Sequence, residues 1–288
     1  DITYQHFLKG QQFEYISADQ IDKINFNNEI SWQHKRHNLC LSHYKYSQID
    51  EGAARAPSGT ILFTNETNIN RKQLTLIHKW KPTNDFSIEQ TIRNANYNRE
   101  YKVNTINGSP STRDGTEEKN TEYEFLFNRT FESLAYNGGI EFSKPKYKSD
   151  RITGGNQQKK IFGFFNQVAW NATSMIKAIS GLRFDTYGDT TVLSPRLALS
   201  FKMNENWIYR LAYGHGFRAP SFMESLIDWD HLQFGYSVKG NPNLKPEISK
   251  GFTLGAEYRN NNNFQLSTLL YHNTFSNLIK DYAIEPGL

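Results

Sequence analysis

The feature that most constrains this chain is an alternation of apolar and polar residues at a period of two, held over runs of about ten residues. Successive side chains of an extended backbone point to opposite faces. Trp207, Tyr209, Leu211, Tyr213 and Phe217 therefore share one face, and Arg210, Ala212, Gly214 and Gly216 share the other. Leu197, Leu199 and Phe201 alternate in the same way with Arg196, Ser200 and Lys202, as do Phe252, Leu254, Ala256 and Tyr258 with Thr253, Gly255, Glu257 and Arg259. Farther upstream, Tyr123, Phe125 and Phe127 form one stripe, and Phe162, Phe164, Val168 and Trp170 another. The pattern predicts strands at 24–35, 39–49, 70–81, 86–99, 119–131, 134–144, 159–170, 175–185, 193–202, 207–217, 250–260 and 263–275, with a further one beginning near Asn277. Arg210 and Glu257 fall in mid-strand on the second face, which must then be wet.

The connections narrow the fold further. Short ones, containing "KRHN", "KPTND", "NATS", "MNEN" and "NNNN", rotate with long ones at 50–69, 100–118, 145–158, 186–192 and 218–249, while Glu132 and Ser133 need only a tight turn. Long strands with one apolar face, joined by short and long connections in turn, describe an all-β transmembrane antiparallel β-barrel. In lipid every backbone N–H and C=O must find a partner within the protein, and a closed sheet supplies one without leaving an edge. Trp207, Tyr209, Tyr213 and Trp170 fit an aromatic girdle at the membrane surface. A soluble β-sandwich also alternates, but its strands are usually half this length.

Composition excludes other classes. Mean hydropathy is −0.69, and no run approaches the eighteen apolar residues of a membrane-spanning helix. A net charge of +4 without a dense Lys/Arg block gives no sign of nucleic acid as a partner. The single Cys40 allows no internal disulfide and has no companions for a zinc site. The opening "DITYQHFLKG" lacks the charged start and apolar core of a signal peptide.

Two segments, "SPRLALSFKMNENWIYRLAYGHGFRAPSFMESL" and "GNPNLKPEISKGFTLGAEYR", together with "GLRFD" and "YHNTFSNLIKDY", closely resemble the barrel of TonB-dependent outer-membrane receptors of Gram-negative bacteria. The family's F-[RK]-A-P and N-P-[ND]-L-[KR]-P-E motifs are met by Phe217, Arg218, Ala219 and Pro220 and by Asn241, Pro242, Asn243, Leu244, Lys245, Pro246 and Glu247. The resemblance covers about 110 residues, 175–285; the first 150 agree in periodicity alone. It implies a 22-stranded barrel around an N-terminal plug, importing bulky nutrients such as iron chelates, heme or cobalamin with energy from the TonB system. Residues 1–288 then read as an internal barrel segment of about twelve or thirteen strands, with the plug and the C-terminal strands lying outside it. The ending "YAIEPGL" differs from the aromatic-terminated last strand of such barrels.

Between the two motifs lies the longest connection. Pro220, Pro242 and Pro246 fix φ and withhold donors, stiffening its ends, and Gly240 beside Asn241 suits a turn. The motif residues read chiefly as structural, setting loop exit and re-entry, with Arg218 and Glu247 able to pair there. His231 lies where the heme-importing branch of the family carries an axial ligand, flanked by Trp229, Phe234 and Tyr236, whose rings suit a porphyrin. The alternative is a histidine packed within a variable loop. Heme enters this reading as cargo, not as a resident cofactor. Asp228, Asp230 and Glu224 stand nearby without metal-ligand spacing. Arg55, Arg71, Arg113, Lys146, Lys148, Arg151, Lys159 and Lys160 make the other long connections basic, suiting either anionic chelates or ordinary solvated rim. Two further functions compete: a lipid hydrolase on a small closed barrel, for which Ser42 with His43 and Ser267 with His272 are the available pairs, and a passive porin, which would lack the paired motifs.

Overall fold

The computed structural model describes residues 3–8, 11–106, 111–231, 236–260 and 263–281, with side chains from residue 20 onward apart from that of His231. One antiparallel wall runs through β1 (Thr3–Leu8), β2 (Gln11–His34), β3 (His37–Arg55), β4 (Ile61–Thr83), β5 (Phe86–Thr105), β6 (Thr112–Thr130) and β7 (Leu134–Ser143). Short strands β8 (Lys146–Ser149) and β9 (Asn156–Gln158) branch off β6. The wall then continues through β10 (Ile161–Asn171), β11 (Ile176–Tyr187), β12 (Thr190–Lys202) and β13 (Trp207–Arg218). Helix α1 (Phe222–Leu226) and a separate hairpin, β14 (Asp228–His231) with β15 (Tyr236–Lys239), follow before β16 (Glu247–Arg259) and β17 (Gln265–Ser276) complete the wall. Among the described residues β1 and β17 are not paired with each other, so the wall is an open part of a barrel.

Register explains why this sheet belongs in a bilayer. Ile30, Leu41, Leu76, Ile92, Tyr123, Phe142 and Phe162 stand directly opposite one another across seven strands, all on the outer face. Leu197, Tyr213 and Phe252 continue such rungs on the later strands. These side chains remain exposed (Ile92 by 49%, Phe142 by 42%, Leu197 by 43%), which in water would be a large unpaid hydrophobic area. Lipid covers it. Four of the five tryptophans, Trp32, Trp80, Trp170 and Trp207, stand at the short-turn ends of their strands, the positions of an interfacial girdle. By the barrel rule those turns face the periplasm and the other ends the exterior. The opposite face is wet and ion-paired: Arg183 reaches Glu141 at 2.5 Å and Asp185 at 2.8 Å, and Arg210 reaches Glu257 at 2.7 Å. Gly163 makes room for the first cluster, since a Cβ there would lie 2.7 Å from the Arg183 guanidinium.

The twelve long strands expected from periodicity are present, but several are far longer. β3, β4, β5 and β6 hold 19, 23, 20 and 19 residues. The expected loops 50–69 and 100–118 are largely strand. Above the bilayer both faces of a strand meet water, so alternation fades although the hydrogen-bond ladder persists. The expected long connection 186–192 is a tight turn at Gly188, whose φ of +58° favours glycine. No strand begins at Asn277 among the described residues; the backbone there adopts φ 56° and ends β17. Among the described residues no helix is long and apolar enough to cross a membrane.

Candidate functional site

The two sequence motifs meet at the top of neighbouring strands. Arg218 ends β13 opposite Glu247, which begins β16. The Arg218 Nε donates to Glu247 Oε2 at 2.6 Å, and its Nη1 donates to Glu224 Oε2 of α1 at 3.0 Å. This cluster stands above the apolar band, where the outer face already carries His215 and Lys250. Arg218 and, secondly, the Ile279 backbone N–H hold the Glu247 carboxyl down at about 2. Partial burial pushes the Glu224 carboxyl up, but bonds from Ser221 and Arg218 outweigh it and leave the group below its ordinary value.

The chain leaving Arg218 turns inward. Pro220 is buried, and its carbonyl accepts the Tyr187 hydroxyl at 2.6 Å. Ser221 caps α1: its hydroxyl accepts from Glu224 N at 3.1 Å, and the Glu224 carboxylate accepts from Ser221 N at 2.8 Å. On return, the Gly240 and Asn241 backbone N–H groups donate to the carbonyls of Ile227 and Glu224. The Asn241 side chain accepts from Asn243 N at 2.9 Å while its carbonyl accepts from Leu244 N, a turn that leaves Pro242 exposed. Pro246 offers its carbonyl to Asn277 Nδ2 at 3.3 Å. Ala219 is half-buried beside this base, and Phe217 lies on the outer face.

The inserted segment is fastened to the wall. Ile227 bridges Ile152, Thr153 N donates to Leu226 O at 2.8 Å, and Asp228 N donates to Arg151 O at 2.9 Å. Arg151 grips Asp114 of β6 through Nε at 2.8 Å and Nη2 at 2.6 Å, and its guanidinium lies 4.0 Å from the ring centroid of Trp229. Phe222 stacks on Tyr147 at 5.5 Å, and Lys159 projects over both Tyr187 (4.2 Å) and Phe222 (4.8 Å). Burial pushes the Lys159 amine down and, with the Glu224 charge, pushes the Tyr187 phenol up.

Between this insert and the inner wall opens a cleft of about 820 Å³, lined by Tyr44, Arg71, Tyr97, Tyr147, Tyr187 and Phe222 among others. Arg71 lies 5.2 Å from the Tyr97 ring centroid. Burial raises Tyr97, against the charges of Arg99 and Arg71, and raises Glu118, against that of Arg71. Sequence reading selects Arg71 as a rim cation but passes over these tyrosines. Tyr147 and Tyr187 stand in segments it takes for loops, and Tyr44 and Tyr97 on the polar face of strands it predicts.

The residues expected to contact heme divide. Trp229 is half-buried and carries Arg151 on its ring. Tyr236 is exposed, and its backbone pairs with that of His231 across the β14–β15 hairpin. The His231 side chain and all of Phe234 lie outside the described residues. Asp230 accepts from the Ser237 hydroxyl and Glu224 is committed to the loop base; no group of three metal-ligating side chains comes together among the described residues. Alternation places Ser42 and His43 on opposite faces of β3, and the odd spacing of Ser267 and His272 does the same on β17. Neither pair can form a nucleophile and its base.

A family model described as TonB dependent receptor-like, beta-barrel matches residues 8–287. Over 127 residues the chain is 30% identical to an iron-regulated outer membrane virulence protein of Vibrio cholerae, a stretch that is 43% of this chain and 19% of that protein. The siderophore receptor PirA from Acinetobacter baumannii superposes with a TM-score of 0.66 at 12% identity, covering 92% of this chain and 47% of that one. The hemophore receptor HasR of Serratia marcescens, solved with its hemophore HasA and heme, gives 0.67 at 14% identity, covering 93% and 46%. At such identities the likeness is one of fold, and the chain spans about half the length of those receptors. With a family model matched along almost its whole length, an open antiparallel wall and an unbroken lipid-facing belt, the chain belongs to the TonB-dependent receptor β-barrel family of the outer membrane.

Proposed function

We propose that this chain forms part of the cargo-facing wall of an outer-membrane receptor that imports a bulky nutrient, an iron chelate or heme, with energy delivered by TonB through a plug. The plug and the remaining strands belong to the same receptor and lie outside residues 1–288. The observation that carries the reading is the start of the insert, Ser221, Phe222 and Met223, which faces the inner wall across a cleft of about 820 Å³. That volume suits a ligand of several hundred daltons. Its cationic and phenolic lining, Arg71 with Tyr97, and Tyr187 backed by Lys159, favours an anionic, aromatic-bearing ferric chelate. The relatives described above, an iron-regulated protein and a siderophore receptor, are in keeping with this.

Heme is the second reading, and it rests on His231 near the turn of the β14–β15 hairpin with Trp229 and Tyr236 beside it. A neutral imidazole there would ligate the iron while the rings flank the porphyrin. The test uses the full receptor in iron-starved cells supplied with ferric siderophore or heme as the sole iron source. Arg71→Glu should abolish growth on the chelate while leaving folded receptor in the membrane. His231→Ala should leave growth on the chelate intact and, under the second reading only, remove the Soret shift of bound heme. Undiminished growth of Arg71→Glu on every iron source tried would overturn the cleft as the cargo site.

A further inference from the structure

The outer face carries a second feature, at strand positions several of which (Lys72, Asn96, Lys119 and Lys146) also border the cleft. On β3, β4 and β6 the apolar outward run ends in a lysine: Lys45 beyond Leu41 and His43, Lys72 beyond Leu74, and Lys119 beyond Tyr123 and Thr121. Register brings these ends together. Lys45 stands directly opposite Lys72, Lys72 opposite Asn96, Asn96 opposite Lys119, and Lys119 opposite Lys146 of β8. All four lysines are exposed. Like charges directly opposite each other in a sheet destabilise it, yet here two such couples share one rung. Among the described residues only Lys119 has a carboxylate partner, Glu117. The couples flank Asn96: Lys72 and Lys119 stand two strand spacings apart, about 10 Å, and the centres of the two couples three, about 14 Å.

The geometry points to a binding site on the outside of the wall for a phosphorylated lipid headgroup of the outer leaflet, one phosphate seated at each lysine couple. The lipid's chains then lie along the apolar band below, on Leu74 and, past the Asn94–Thr121 pair, on Ile92 and Tyr123. Continuity with that band selects a lipid over free phosphate, and the two couples select a headgroup bearing two phosphates. This inference depends on the outer-membrane placement and not on the cargo, so a growth assay for import neither supports nor damages it.

The test takes the full receptor in detergent and titrates it with bis-phosphorylated lipid A, dephosphorylated lipid A and inorganic phosphate, read by native mass spectrometry. Each lysine near an anionic surface contributes about a fivefold factor in binding. Replacing Lys45, Lys72, Lys119 and Lys146 by glutamine should therefore weaken retention of bis-phosphorylated lipid A at least ~100-fold. Lys177→Gln, toward the periplasmic end, should leave retention unchanged. Heat-modifiable gel migration verifies folding; should the quadruple variant not fold, the doubles Lys45→Gln/Lys72→Gln and Lys119→Gln/Lys146→Gln are read instead. Equal retention by a folded variant overturns the site. So does equal binding of dephosphorylated lipid A, or displacement of the lipid by millimolar inorganic phosphate.

Discussion

The two halves of this wall reach the same side of the membrane by different constructions. From β2 to β6 the strands themselves continue past the apolar band, to lengths of 19 to 24 residues. From β7 to β17 the wall strands hold 10 to 13 residues, about what a tilted crossing needs, and the chain above them folds separately as α1 and the β14–β15 hairpin. The first construction is held by an uninterrupted backbone ladder and needs few special side chains. The second depends on named contacts: the Ser221 capping box, the Arg218 fork, Gly240 against α1, and Arg151 between Asp114 and Trp229. The insert leans on the tall strands, so the short-strand half borrows its extracellular order from the long-strand half.

The strongest way to break that dependence is Asp114→Ala. Asp114 is 12% exposed at its side chain and holds Arg151, 15% exposed, and Arg99 at 3.4 Å. Removing one partner of a largely buried pair costs about 3–5 kcal/mol. Hydrogen exchange on the full receptor should show segment 222–239 losing protection while β10 to β13 keep theirs; unchanged protection would mean the insert stands alone. Next in size is the lipid face. Leu197→Lys, mid-strand and outward on β12, should cost about 2–4 kcal/mol in a bilayer, and Asn98→Lys, outward on the extracellular extension of β5, close to none. Equal shifts in the urea midpoint would remove the boundary drawn between band and extension.

How much of this was legible follows from the same boundary. Within the band, one face meets lipid and the other water, so Leu197, Leu199 and Phe201 against Arg196, Ser200 and Lys202 write the strand into the sequence. On the extensions both faces meet water, and "EYKVNT" at the end of β5 reads as a loop although it is paired throughout. Tyr147 was hidden for that reason, and Tyr97 because it stands on the wet face of its strand, away from the apolar stripe. The motif pair was legible through its prolines and its Arg/Glu ends, and the Arg218–Glu247 bond lies where those residues allow it. The Arg151–Asp114–Trp229 contact was not, because it joins three segments far apart in sequence whose meeting only the fold decides.

Smaller effects probe the insert from within. A Cβ on Gly240 would lie 2.6 Å from Leu226 N and 2.7 Å from Ser225 C, both backbone atoms that cannot swing aside. Gly240→Ala should therefore cost about 1–3 kcal/mol, as overpacking does, and should raise proteolysis at 226–240 without touching the wall. Ser221→Ala removes one half of the capping box and should cost about 1 kcal/mol, seen as faster exchange confined to the Glu224 amide and its neighbours; exchange spread across the hairpin would mean the cap anchors more than α1.

The gentlest probe is pH. The Glu247 carboxyl sits at about 2 in the folded receptor against an ordinary 4.5. A group whose value falls on folding binds its proton more weakly when folded, so its contribution is complete above 4.5 and is lost as pH drops toward 2. Protection of the loop base at 217–222, corrected for intrinsic exchange, should decline across that window. Glu247→Gln should flatten the decline while lowering protection at neutral pH. Because both groups are partly solvated, salt should shrink the effect. The Asp114–Arg151 contact, shielded from solvent, should resist the same salt, which returns the contrast between a loop clamped at its rim and one held against a wall.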